Sequence, residues 1–145
     1  HPCLDVRVAG DPAGTAVTDV TLLTAAPARI SEFGISSTDG WEETVRADGV
    51  VVATPLGSTG YARDAGGPVL APGTGLVTVP VSAYAMHVRP WVLRPPVSLS
   101  VVRDEAEVTV RLDDDVARSV PSGAPVDIET ESAVSLVDPQ QFSTR

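Results

Sequence analysis

The most informative residues for chemistry lie in one block, Ala47-Asp48-Gly49-Val50-Val51-Val52-Ala53-Thr54-Pro55-Leu56-Gly57-Ser58-Thr59-Gly60-Tyr61, followed by Ala65-Gly66-Gly67-Pro68. An apolar run ends at Thr54-Pro55, and a glycine-bearing turn then presents the hydroxyls of Ser58 and Thr59 together with the N–H groups of a starting helix. Gly57 and Gly60 let a backbone approach closely or take positive φ, and hydroxyls and helix-start N–H groups donate to phosphate or sugar oxygens. The Tyr61 ring suits stacking on a flat base, and the Asp48 carboxylate accepts from an amide or a hydroxyl. A plain strand–turn–helix connection with a buried tyrosine accounts for the same residues equally well. Two other clusters carry less. Asp113-Asp114-Asp115 reads as a solvated acidic turn, because alternate residues of an extended chain point apart and cannot face one ion. Cys3 is the one cysteine, which excludes an internal disulfide and a Cys/His zinc cluster.

The elements around this block are short. With 13 Pro and 12 Gly among 145 residues, the chain is punctuated often, and the runs between are rich in Val, Thr and Ile, which favours an all-β fold in one domain. Leu4–Val8 reads as an opening strand with a tight turn at Asp11-Pro12-Ala13-Gly14. Asp19–Thr24, Arg29–Ile35 and Trp41–Ala47 are further strand candidates, with a turn at Ser37–Gly40. Gly49–Thr54 is apolar on both faces, the pattern of a central strand covered on each side. Pro55–Pro68 reads as a loop opening into a short helix over Tyr61–Ala65. Leu76–Val81, Val97–Val102, Val108–Leu112, Val126–Thr130 and Ala133–Val137 complete a set that implies packed sheets, with a frayed tail from Pro139.

Charge describes the habitat. Ten basic residues, all Arg, face nineteen acidic ones for a formal net charge of −9, which repels nucleic acid. A lysine-free acidic composition fits a GC-rich genome or a high-salt cytoplasm; the acid excess favours the second and hence a haloarchaeal source, with a fold that loosens at low salt. The sequence has no run of about 18 apolar residues and no charged-then-apolar leader, so the expectation is a cytoplasmic protein without a membrane span.

The block also resembles the signature of the NAD kinase family, in which an Asp-Gly strand runs into a Thr-Pro-x-Gly-Ser-Thr-Ala-Tyr turn and then a Gly-Gly-Pro. A second stretch, Val79-Pro80-Val81 with Arg89-Pro90-Trp91-Val92-Leu93, is similar to the family's Thr-Pro-Ile strand and its Arg-Pro-x-Val-Leu. The likeness covers most of the chain; before Thr18 and after about Ser98 it is one of pattern only. It implies a β-sandwich-like C-terminal domain spanning residues 1–145, with a short helix after the turn, that supplies most of an NAD site and builds a homo-oligomer. It also implies an N-terminal α/β domain whose Gly-Gly-Asp-Gly motif binds the donor, ATP or polyphosphate with a divalent metal such as Mg, and activates the 2′-hydroxyl of NAD on the way to NADP. No Gly-Gly-Asp occurs in this sequence, so the chain alone is expected to be inactive and to contribute no catalytic residue.

Carried over by position, Asp48 matches the aspartate on the nicotinamide carboxamide, and Thr59 and Tyr61 match residues at the adenosine end, with Gly57, Ser58 and Gly60 completing the turn on NAD. Gly60 stands in place of the usual Ala and Leu56 in place of a small polar residue. Asp64 replaces a Ser near the adenine, where its carboxylate accepts from an amine and repels phosphate. Thr18-Asp19 replaces Asn-Glu, so Asp19 reaches the ribose only weakly. Tyr84 aligns with the family's His, leaving His87 as a structural or surface residue. Three readings remain open: the NAD-binding half of a kinase, which a first residue other than Met fits; a stand-alone NAD(P)-binding or sensing domain, which the departures at Leu56, Asp64 and Thr18 fit; and a lipid kinase relative.

Overall fold

Runs of β-branched residues between turns fold into strands because their side chains fit a pleated, half-buried surface. The computed structural model describes residues 1–26, 31–82, 89–103, 106–133 and 135. Its strands are β1 Leu4–Val8, β2 Asp11–Ala16, β3 Asp19–Thr24, β4 Glu32–Ser37, β5 Glu42–Arg46, β6 Gly49–Ala53, β7 Leu76–Val81, β8 Trp91–Leu93, β9 Val97–Arg103, β10 Val108–Leu112, β11 Asp115–Ser119 and β12 Pro125–Glu129. A 3₁₀ turn over Gly57–Thr59 and the four-residue helix α1, Tyr61–Asp64, separate β6 from β7. Two antiparallel six-stranded sheets result, in the orders β2-β1-β12-β9-β4-β5 and β11-β10-β3-β6-β7-β8.

The sheets pack face to face on one core, to which Leu4, Val6, Phe33, Ile35, Leu99 and Ile128 contribute from the first and Val20, Leu22, Val50, Val52 and Val110 from the second. β6 is buried at every residue, as its two-sided apolar pattern requires. Val50 and Val52 face the core, whereas Val51 and Ala53 join Val77 and Val79 on the outer face, where Ala62 of α1 and Leu70 cover them. That cover lies over β6 and β7 and leaves the neighbouring β3 and β10 to whatever the loops bring.

Several boundaries differ from the sequence reading. Asp11-Pro12-Ala13-Gly14 is not the turn but part of β2; the chain reverses at Ala9 and Gly10, with φ of 52° and 86°. Pro12 is tolerated because β2 is an edge strand, and the register shifts between Val6 and Arg7 opposite it. β8 and β11 have no strand signal of their own length and are imposed by pairing with β7 and β10. Trp41 precedes β5 and packs its ring on Trp91, centroids 5.2 Å apart. Of the expected strand Ala133–Val137 the described part holds a single bridge, Pro2 to Ala133; the rest, like Arg29, Ile30, Tyr84, His87 and the tail, lies outside the described residues.

Candidate functional site

Residues on the outer face of the second sheet are set by register. Asp19 pairs with Ala53 and Thr21 with Val51 across β3 and β6, and Arg111 pairs with Thr21 across β10, so Asp19, Thr21 and Arg111 share the face that α1 partly covers. Where α1 begins, Tyr61 borders a cavity of about 220 Å³ lined by Asp19, Thr21, Leu23, Tyr61, Arg111, Asp113 and Asp114. That volume lies below the ~300–1,000 Å³ usual for a whole drug-sized ligand and suits one end of a longer molecule. Tyr61 is 41% exposed, so the buried tyrosine of the alternative reading is not what forms, and its ring is open to a flat partner. A larger, shallower depression of about 400 Å³ lies on the first sheet between Gly34, Ser36, Thr44, Ser98 and Ser100 and holds none of the block's residues.

The turn itself is built from internal hydrogen bonds. Thr54 is fully buried; its hydroxyl donates to the Val17 carbonyl at 2.9 Å and accepts from the Gly57 N–H at 3.2 Å. The Thr54 N–H donates to the Thr18 carbonyl at 3.0 Å. Gly57 then lies so close to that carbonyl that a Cβ would sit 2.0 Å from its oxygen. Close approach, not positive φ, is therefore what this glycine supplies. Ser58 was expected to offer its hydroxyl to a ligand; it is buried and occupied, donating to Pro55 O at 2.6 Å and accepting the Leu70 N–H at 2.8 Å, which ties the Gly-Gly-Pro segment back to the turn. Thr59 is exposed, its hydroxyl donating to Leu56 O at 3.1 Å. Gly60 gives its N–H to Gly57 O at 3.1 Å and caps the start of α1. Asp64 sits exposed at the far end of α1 and does not line the cavity.

Asp19 is the unusual group. It is only 8% exposed, and its one described side-chain partner is the Thr21 hydroxyl at 3.5 Å. Burial, reinforced by the charges of Asp113 and Asp114, pushes its carboxyl up to about 6. A carboxyl raised by burial where it lines a cavity is a candidate for a binding or catalytic position. Asp113 behaves in the opposite way: despite partial burial, hydrogen bonds from Thr18, Val17 and Asp19 hold it below the usual carboxylate range. The solvated acidic turn expected here is thus incorrect for Asp113. Thr18 is also committed, its hydroxyl donating to Asp113 Oδ1 at 2.6 Å.

Asp48 is not brought to this cavity. Its N–H and carbonyl bond Val81 O and Thr24 N at 2.9 Å each, at the start of β6, whereas Thr59 and Tyr61 follow the strand's other end. At about 3.3 Å per residue, the six steps to Thr54 separate them by roughly 15–20 Å. Asp113, Asp114 and Arg111 were missed as lining residues because they lie far from the block in sequence and reach it only through the pairing of β10 with β3.

Comparison with known proteins follows the same outline. Residues 17–135 match the family model described as the ATP-NAD kinase C-terminal domain. The chain is 39% identical to an NAD kinase of Methanosarcina acetivorans over 112 residues, 77% of this chain and 38% of that protein. It is 36% identical to an NAD kinase of Methanopyrus kandleri over 109 residues, 74% of this chain and 39% of that protein. Among solved structures, yeast NADH kinase complexed with NADH superposes with a TM-score of 0.80 at 19% identity, over 95% of this chain and 42% of that one. An NAD kinase from Archaeoglobus fulgidus in complex with ATP gives 0.71 at 28%, over 90% of this chain and 51% of that one. The chain therefore spans about two fifths of the length of the curated relatives it matches.

Proposed function

This chain belongs to the ATP-NAD kinase C-terminal domain family, and on that premise we propose that it is the dinucleotide-binding half of an NAD kinase, which phosphorylates the adenosine ribose 2′-hydroxyl of NAD to give NADP. The observation that carries the reading is the cavity between Tyr61 and the β3–β10 face. Its size and its ring suit the adenosine end, with Tyr61 stacking on the base, Thr59 at the rim and Asp19 accepting from a ribose hydroxyl.

Asp48, matched to the nicotinamide end, lies at the opposite end of β6 from the turn and does not line the cavity. It would instead serve a dinucleotide held by another copy, so the working form is a homo-oligomer. The donor, ATP or polyphosphate, and its divalent metal belong to an N-terminal domain outside this chain. Among the described residues no group of three or more His, Cys, Asp or Glu side chains is placed to hold a metal, and Asp113 is taken up by backbone N–H groups. The chain alone is inactive. A stand-alone NAD(P)-binding domain is the second reading, supported by Thr18, whose hydroxyl faces Asp113 where the family's Asn meets the ligand. The site of action is proposed to be the cytoplasm; among the described residues no helix is long and apolar enough to cross a membrane.

Calorimetric titration of the chain with NAD in molar salt tests the reading. Tyr61→Ala and Asp48→Ala should each weaken binding about tenfold or more, in a sample that light scattering finds larger than a monomer. A folded wild type that ignores NAD removes the function, and a monomer that binds it removes the shared site. The acid excess further supports adaptation to high salt: the melting temperature should rise by several degrees from dilute buffer to molar salt, because screening relieves carboxylate repulsion. An unchanged midpoint contradicts this.

A further inference from the structure

Pairing of β10 with β3 ends at Leu112 opposite Val20, one residue short of the start of β3 at Asp19. Asp113 is the next residue. Its N–H donates to the Asp19 carbonyl at 2.8 Å, and its φ of 56°, in the left-handed region that aspartate tolerates, turns its carboxylate back over residues 17–19. There Oδ1 accepts the N–H of Thr18 at 2.7 Å, its hydroxyl at 2.6 Å, and the N–H groups of Val17 at 3.1 Å and Asp19 at 3.3 Å; Oδ2 also accepts from Val17 at 3.1 Å. The carbonyls of the same corner face the other way. Val17 O and Thr18 O accept the Thr54 hydroxyl, Thr18 O accepts the Thr54 N–H, and Gly57 rests against Thr18 O. One rigid corner is therefore gripped by Asp113 on its N–H side and by the ligand-binding turn on its carbonyl side. Because an N–H and a carbonyl share a peptide plane, fixing one aims the other.

We propose that Asp113 is a positioning residue for dinucleotide binding: its carboxylate fixes the Val17–Asp19 peptides, and through them it sets both the Asp19 side chain in the cavity and the seat of the turn bearing Thr59 and Tyr61. This rests on the reading that the cavity takes one end of NAD. β3 is paired with β10 and β6 on its two sides, and the Asp113 carboxylate acts on the corner that leads into it.

The test combines amide hydrogen exchange by NMR with NAD titration of the whole chain, comparing wild type, Asp113→Ala, Asp113→Asn and Tyr61→Ala. Asp113→Ala should raise exchange at Gly57 and Ser58 by about tenfold, although neither touches residue 113, while amides of β9 and β12 keep their rates. It should weaken NAD by a similar factor. Asparagine keeps Oδ1, which receives most of these bonds, and loses the charge, so it should recover most of both effects and remain measurably short of wild type. If alanine does not fold, that shortfall in asparagine decides. Unchanged exchange at Gly57 and Ser58 overturns the proposal whether or not NAD binds. Faster exchange with undiminished NAD affinity also overturns it, provided Tyr61→Ala loses affinity. If wild type does not bind NAD, the function falls on its own, and the exchange rates alone support or overturn the positioning.

Discussion

Gly57→Ala should destabilise the chain by on the order of 3 kcal/mol, the upper end of what overpacking usually costs. The added Cβ would lie 2.0, 2.5 and 2.9 Å from the carbonyl oxygen, carbonyl carbon and Cα of Thr18. All three are backbone atoms, so no rotamer change relieves the clash; either the turn lifts or the 17–19 corner moves, and the corner is pinned by Asp113. Gly60→Ala is the control within the same turn. Its Cβ would meet only Gly57 O at 3.5 Å, an ordinary contact, so its stability should stay within about 0.5 kcal/mol of wild type. Denaturant unfolding of the two variants compares them directly, and equal midpoints would show that the turn is not seated on Thr18.

Asp19→Asn should stabilise the chain at pH 7 to 8 and leave it unchanged near pH 3. The carboxyl of Asp19 is raised from 3.8 to about 6 by burial and by the charges of Asp113 and Asp114, so the folded chain binds this proton more tightly than the unfolded one. Stability therefore falls as pH rises from about 4 through about 6 and stays at the lower level above that. A rise of that size corresponds to a ceiling of about 3 kcal/mol, and solvent in the cavity mouth reduces this to roughly 1–2 kcal/mol. Asparagine removes the titration and with it this part of the slope. Asp113 has the reverse sign: lowered by hydrogen bonds that outweigh its burial, it stabilises the fold above its unfolded value and loses that contribution only in stronger acid. Thermal melts from pH 3 to 8 resolve the two. If Asp19→Asn follows the wild-type curve through pH 4 to 6, Asp19 is not the strained group. The strain itself is consistent with a binding role, since a buried carboxylate that makes no ion pair among the described residues lowers stability.

Much of this architecture was legible in the residues. The two-sided apolar run Gly49–Ala53 had to be central, because a strand with no polar face is stable only when both sides are covered, and the glycines after it required a tight turn. The short helix at Tyr61 followed from the same punctuation. Edge strands were harder to see. β8 is only three residues long and β11 is largely exposed, and both acquire strand geometry from their neighbours' hydrogen bonds, while β2 carries the Pro and Gly of a turn and pairs as a strand.

By itself the sequence determined the family and the all-β class and singled out one block as the candidate site, because those depend on local composition and on the order of residues along one segment. Only the tertiary structure decided how the members of that block, and the residues that meet it, are arranged. Ser58 turned inward to hold Leu70, Asp48 and Tyr61 went to opposite ends of a strand, and Asp113 became the brace of a corner 94 to 96 residues away. Hydrogen bonding and burial are properties of what lies across a sheet, and antiparallel register brings together residues that no local spacing connects.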